Sequence, residues 1–278
     1  MDGELIDRKT LLCLHAHPDD EAMLTGQLIA KAGSTGMRTI VVYGTRGEAG
    51  EARDELGTET LGLRRAREAV DACAELGAAR VEFLDYVDSG MAGEPTNAVP
   101  SAFSNASPEV VADVVADLIA GEELFAVVGY DANGTYGHPD HLQIHAVANA
   151  IARLLRVPWL LDATYNREYL AGLAESDGSL DPGFATSDAE LTHFVQGEAW
   201  FRAKMEAVKQ HRSQVPPKRS GQPKRGIDRW RSRYGTEWFI ARQQTNVTGL
   251  GPLANVLEPK ADWPGPLTRA TPSGEAGP

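Results

Sequence analysis

The stretch that decides the reading of this chain is Leu11-Leu12-Cys13-Leu14-His15-Ala16-His17-Pro18-Asp19-Asp20-Glu21. The apolar run from Leu11 to Ala16 has the composition of a buried strand. Pro18 cannot continue a central ladder, so the strand is expected to stop at His17. Asp19-Asp20-Glu21, followed by Ala22-Met23-Leu24, reads as a helix start with acids in its first turn. A histidine and two carboxylates are thereby packed into a tight turn between strand and helix. Histidine and carboxylate are zinc ligands, and a second carboxylate beside a metal can serve as a base.

Outward from that turn, strands alternate with helices. Residues 20–33 have helical periodicity ending near Gly33 and Gly36, and Arg38 to Tyr43 is a β-branched strand. A loop rich in Gly and Glu leads to a helix over Leu61 to Leu76, capped by Gly77, and then to a strand over Val81 to Leu84. After a long loop containing Asp88-Ser89-Gly90-Met91, Ser107 caps a helix over Pro108 to Ala120. A strand over Leu124 to Val128, a loop, a helix over Asp140 to Leu155 and a strand over Trp159 to Thr164 complete the pattern. The alternation predicts an α/β fold, a parallel sheet covered by helices on both faces. In such sheets sites form at the carboxyl ends of strands, where the unusual polar clusters of this chain fall. The last third differs: residues 171–190 are polar, Glu198 to His211 is an amphipathic helix, and Trp238 to Ala241 is a short strand. Residues 212–233 carry eight cations, Arg212, Lys218, Arg219, Lys224, Arg225, Arg229, Arg231 and Arg233, against the single acid Asp228. No internal linker appears. One domain is expected, with a core over about 10–165, a further portion to about 262 and a loose tail over 263–278.

The 278 residues are 42% hydrophobic, enough for a sizeable core, and the formal net charge is −12. That charge disfavours nucleic-acid or anionic-membrane binding and suits a neutral or cationic small substrate. Two cysteines, Cys13 in a buried strand and Cys73, make a disulfide scaffold unexpected. The acidic start Met1-Asp2-Gly3-Glu4 is unlike a secretory signal, and no apolar stretch is long enough to span a bilayer. The expectation is a cytoplasmic protein without a membrane or nucleic-acid partner; a homo-oligomer is compatible with it.

The second chemical cluster is Gly137-His138-Pro139-Asp140-His141. Catalytic zinc sites use three protein ligands and keep one position open for water. His17, Asp20 and one histidine of this cluster would supply that set. Asp19, adjacent to Asp20, can point instead toward the water and take its proton. The other histidine, protonated, would stabilise an oxyanion, with Asp140 orienting it or raising its pKa. Iron is an alternative to zinc in such a donor set.

Taken together, Ala16-His17-Pro18-Asp19-Asp20-Glu21 and Gly137-His138-Pro139-Asp140-His141 resemble the LmbE/PIG-L family of zinc-dependent N-deacetylases. Asp88 to Met91 and the segment from Tyr130-Asp131 to Tyr136 resemble its mycothiol-pathway branch, which contains an N-acetylglucosaminyl-inositol deacetylase and a mycothiol-conjugate amidase. The resemblance covers about residues 10–155. It implies a Rossmann-like α/β layer, zinc held by His17, Asp20 and His141, Asp19 as general base, and His138 as electrostatic stabiliser or acid tuned by Asp140. It further implies that Arg65 and Asp88 hold sugar hydroxyls, that Tyr136 is a mobile tyrosine beside the site, and that the C-terminal portion shapes the aglycone side. The implied substrate is an N-acetylglucosamine-type sugar conjugate, giving acetate and a free amine. Rivals are an amidase acting on a thiol conjugate and, in another class, a nucleotide-binding module without hydrolytic chemistry. The latter calls for a glycine-rich first turn, which this chain lacks.

Blander readings stand beside several of these residues. His15 shares a strand face with His17 and reads as a hydrogen-bonded core histidine. His145, four after His141, is explained by its helix face. Glu21 is either a partner of a ligand histidine or a first-turn acid. Arg65, between Arg64 and Arg67, fits a solvated face nearly as well as a sugar site. His211 follows the late helix and could reach the pocket; a helix C-terminal cation is the simpler reading. Gly44-x-x-Gly47-x-x-Gly50 echoes a phosphate loop without the dinucleotide spacing. The run at 212–233 reads as a solvated loop, or as a reception site for an anionic part of the substrate.

Overall fold

The structure, a computed structural model, describes residues 9–53, 55–173, 183–215 and 225–267. In chain order these form β1 (Thr10–His15), α1 (Asp20–Leu24), α2 (Gly26–Ser34), β2 (Arg38–Tyr43), α3 (Leu61–Leu76), β3 (Arg80–Phe83), α4 (Pro108–Leu118) and β4 (Leu124–Tyr130). They continue with α5 (Gly134–Gly137), α6 (Pro139–Leu154), β5 (Trp159–Thr164), α7 (Arg167–Leu173), β6 (His193–Gln196), α8 (Glu198–Gln210), α9 (Arg225–Tyr234), β7 (Thr236–Gln243) and β8 (Glu258–Pro259).

One sheet has the order β3-β2-β1-β4-β5-β7-β6-β8. The first five strands are parallel, with Cys13 paired to both Val41 and Val128, and β7, β6 and β8 extend the sheet antiparallel. Helices α2, α3 and α8 pack together, as do α4 and α6, the second group lying on β1, β4 and β5. Sandwiched between helical layers, β1 is buried along its whole length, which is why its sequence is a continuous apolar run rather than an alternation. Removing Leu11, Leu12 and Leu14 from water stabilises the fold by roughly 1.5–3 kcal/mol each. The strand order reverses between β1 and β4, so the loops at their carboxyl ends diverge and open a crevice there. The turn at His17 leaves β1, and the loop leading to His138 leaves β4. Topology alone thus brings together two motifs more than a hundred residues apart.

The expected helix over residues 20–33 is broken. Thr25 has φ −135°, and its hydroxyl donates to Glu21 O (3.1 Å) while accepting from His15 Nε2 (3.0 Å). Two buried residues of the C-terminal third hold the break. Lys204 Nζ donates to Met23 O (2.6 Å), and the Glu237 carboxylate accepts from the N–H groups of Gln27 (2.8 Å) and Leu28 (2.9 Å). Gly26 lets the helix approach closely there, since a Cβ would lie 3.1 Å from Lys204 Cγ. Strands β6 and β8 were not expected, and β7 is longer than its predicted core. The basic segment is not a plain loop: its second half is α9, where Arg231 is buried against Glu198 and lies 4.7 Å over the Phe201 ring. Lys218, Arg219, Lys224, residues 174–182 and the tail beyond 267 lie outside the described residues. Among the described residues no helix is long and apolar enough to cross a membrane.

Candidate metal centre

Asp19 is the hinge of the first turn. Its φ of 105° is a conformation in which only glycine is at ease. Its N–H donates to Glu21 Oε2 (2.9 Å), and Glu21 Oε1 in turn accepts from His211 Nε2 (2.6 Å). Glu21 and His211 are both fully buried, Glu21 in the first turn of α1 and His211 at the C-terminal end of α8. The turn is closed by Asp20, whose Oδ2 accepts from His17 N at 3.0 Å.

Ligand-type atoms of His17, Asp20 and His141 all lie within 4.8 Å of one another. His141 Nε2 is 3.3 Å and His17 Nδ1 3.6 Å from Asp20 Oδ2. An overlapping group contains His17, Asp88, His138 and Asp140. In that group Asp140 is already engaged: its carboxylate accepts from His17 Nε2 (3.2 Å), from Ser89 N (3.0 Å) and from the Ser89 hydroxyl. With Nε2 turned to Asp140, His17 has Nδ1 left for a metal on the Asp20 side. Two imidazole nitrogens and one carboxylate oxygen form a donor set suited to a catalytic divalent ion. His17, Asp20 and His141 are thus one set that could hold a metal.

Asp140 touches His138 through its backbone rather than its carboxylate. The Asp140 carboxylate faces His17, and what reaches His138 is the Asp140 backbone N–H, donating to Nδ1 at 3.1 Å as the first amide of α6 is capped. The neutral ring then carries its hydrogen on Nε2. Burial and the neighbouring His17 and His141 push His138 down to about 4, against the opposing pull of the Asp140 and Asp88 carboxylates.

Burial raises Asp19 to about 6 against the opposing pull of Arg65. Burial also acts to raise Asp20, but His141 and His17 hold it well below the usual carboxylate range. Burial opposes charge on His17, yet hydrogen bonds to Asp140 and Asp88 carry it up to about 10.

His17, Asp19, Asp20, Arg65, Asp88, Tyr136 and His138 line one cleft of about 280 Å³, with Met91, Glu94 and Gln214 at its walls. His141 and Asp140 lie fully buried behind them. A neighbouring cavity of about 380 Å³, beyond Glu48 and Val87, contains no histidine and none of these residues. Arg65 is not on a solvated face. It is 5% exposed, donates to Gly47 O (2.8 Å) and Pro18 O (2.5 Å), and approaches Asp19 Oδ1 at 3.4 Å. A Cβ on Gly47 or Gly50 would sit 2.4 or 2.8 Å from Arg65 Nη1. The glycine loop thus cradles an arginine, not a phosphate. Asp88 accepts from Gly90 N (2.9 Å) and Ala49 N (3.2 Å) and holds Oδ1 3.6 Å from His17 Nε2. Tyr136 places its hydroxyl 3.2 Å from His141 Nε2 while 44% exposed. His15 is a satisfied core histidine, held between Tyr130 OH and Thr25 Oγ1 and pushed down to about 4 by burial. His145 bonds the Tyr130 carbonyl at 2.8 Å and joins neither group. Of the described part of 212–233, only Gln214 reaches the cleft. Sequence reasoning missed the role of Ser89, whose signal was its place beside Asp88; for His211, which ends α8, an inward reach was the less simple of two readings, and it is buried against Glu21.

Residues 12–152 match the family model PIG-L, described as GlcNAc-PI de-N-acetylase. The chain is 35% identical over 236 residues to the 1D-myo-inositol 2-acetamido-2-deoxy-alpha-D-glucopyranoside deacetylase of Nocardiopsis dassonvillei, covering 73% of this chain and 84% of that protein. With the same-named protein of Thermobispora bispora it shares 31% identity over an alignment 308 positions long, gaps included, covering 98% of this chain and 95% of the other. The fold matches the N,N'-diacetylchitobiose deacetylase of Pyrococcus horikoshii with a TM-score of 0.57 at 18% identity, over 86% and 85% of the two chains.

Proposed function

Given that this chain belongs to the PIG-L family, we propose that it is a zinc-dependent hydrolase of the N-acetyl amide of an N-acetylglucosamine-type sugar conjugate, releasing acetate and a free amine. The observation that carries the reading is the buried convergence of His17, Asp20 and His141 beside the carboxylate of Asp19, on the wall of a cleft large enough for a sugar ring. The relatives' name points to an inositol conjugate as the substrate.

In this reading His17, Asp20 and His141 would hold the ion. When bound, it supplies Lewis acidity, polarising the amide carbonyl and making water nucleophilic near neutral pH. Asp19 faces the cleft and removes the proton of the attacking water, Arg65 holding its carboxylate in place. His138 presents its Nε2–H to the oxygen on which charge develops. Asp19 then returns its proton to the departing amine. Asp88 and Arg65 bound the side of the cleft where sugar hydroxyls would sit, and Tyr136 stands at its mouth.

The test is a product assay: the purified protein, its metal content measured in parallel, is given an N-acetylglucosaminyl-inositol, simpler N-acetylglucosamine conjugates and a thiol-conjugate amide. Acetate and free amine from the sugar conjugates are expected. Cleavage of the thiol conjugate alone, or no acetate from fully metal-loaded protein, would overturn the reading.

A further inference from the structure

The loop after β4 is pinned by one carboxylate. Asp131 is 1% exposed; Oδ1 accepts from the N–H groups of Asn133 (3.1 Å) and Thr135 (2.8 Å), and Oδ2 from the hydroxyls of Thr186 (2.8 Å) and Thr164. Four donors fill the capacity of a carboxylate. The loop drawn around it forces Thr135 to φ 60°, ψ −53°, a conformation that a β-branched residue adopts only under constraint. Nothing about backbone geometry asks for threonine here; glycine would fit without strain.

What threonine adds is its hydroxyl. That hydroxyl donates to Gly134 O at 2.7 Å, so its oxygen is left as an acceptor, 3.1 Å from His141 Nδ1. His141 therefore carries its hydrogen on Nδ1. Its Nε2 bears the lone pair, and the Tyr136 hydroxyl, 3.2 Å away, is placed to donate to it. Nε2 is also the nitrogen 3.3 Å from Asp20 Oδ2. Thr135 and His141 are both fully buried, so bulk solvent does not compete for this contact.

We propose that Thr135 is a positioning residue of the metal centre: Asp131 forces its backbone, the forced backbone aims its hydroxyl at His141 Nδ1, and that contact fixes the tautomer and ring orientation that free Nε2 for the ion. The inference rests on the reading of His17, Asp20 and His141 as ligands. Partners of this kind set ligand affinity by 10–100-fold.

The test uses the full chain. Long-range ¹H–¹⁵N spectra of metal-free protein, with His141 assigned through His141→Gln, report its tautomer, and competition with a chromogenic chelator reports zinc affinity. An Nδ1–H tautomer is expected in the wild type. Thr135→Gly, which removes both strain and hydroxyl, should melt no lower than wild type yet bind zinc about 10–100-fold more weakly. Thr135→Ser, which restores the hydroxyl, should recover the affinity. An Nε2–H tautomer in the wild type overturns the proposal whether or not any variant folds. So does wild-type affinity in Thr135→Gly, where His141→Ala has lost it. If instead the wild type binds no zinc, or His141→Ala binds it as well as wild type, the ligand reading itself has failed.

Discussion

Replacing Lys204 by methionine tests whether the C-terminal third holds the metal-bearing turn in place. Lys204 is 1% exposed, and its ammonium lies 2.8 Å from Glu237 Oε1 and 2.6 Å from Met23 O, three residues after Asp20. Methionine fills nearly the same volume, so the core stays packed and only the charge is lost. Glu237 keeps the two amides of α2 but loses its counter-charge in a site where burial already raises its pKa. Breaking a buried pair from one side costs about 3–5 kcal/mol. For a chain of 278 residues the unfolding entropy is about 0.6 kcal/mol per degree, so the melting temperature should fall by about 5–9 °C. Calorimetry of wild type, Lys204→Met and the double variant Lys204→Met/Glu237→Gln measures it directly. The double variant should regain most of the loss, because removing both charges removes the uncompensated one. A single variant melting within 2 °C of wild type, or a double variant worse than the single, would refute the argument.

Other outcomes follow from the same geometry. Asp19→Asn should keep the metal and lose turnover by about 10²–10⁴-fold, checked by acetate release beside metal analysis. His211→Leu removes the 2.6 Å partner of Glu21 and so loosens the bond that fixes the Asp19 peptide; turnover should fall by about 10²-fold with little change in KM, since misplacement of the base acts on the chemical step. Arg65→Lys cannot bridge Gly47 O and Pro18 O together, so turnover should fall roughly tenfold while metal content stays at the wild-type level.

The half of the molecule built from local rules was legible in the residues. The limits of α3 and its Gly77 cap, the Ser107–Pro108 start of α4 and the span of β5 all follow from capping, proline placement and apolar runs. So did the meeting of the two histidine-carboxylate turns, because parallel order places both at carboxyl ends of neighbouring strands. What was not legible depends on contacts far along the chain. Nothing near Thr25 announces a break that Lys204 and Glu237 hold from about 180 and 210 residues away. Arg65 sits among arginines and looks solvated; it is buried only because a glycine loop wraps it. Strands β6 and β8, four and two residues long, are too short to carry a periodic signal. Asp140 points at His17 rather than His138 because Ser89, from a third loop, holds its carboxylate there.

One divalent ion would be held by two segments that meet at the β1–β4 crevice. Metal stoichiometry and affinity, measured on wild type and on His141→Ala with acetate release followed on the same samples, test it most directly. One ion per chain is expected in the wild type, with its affinity and the acetate release lost together in the variant. A His141→Ala protein that binds the ion with wild-type affinity, or that still releases acetate at the wild-type rate, would contradict it.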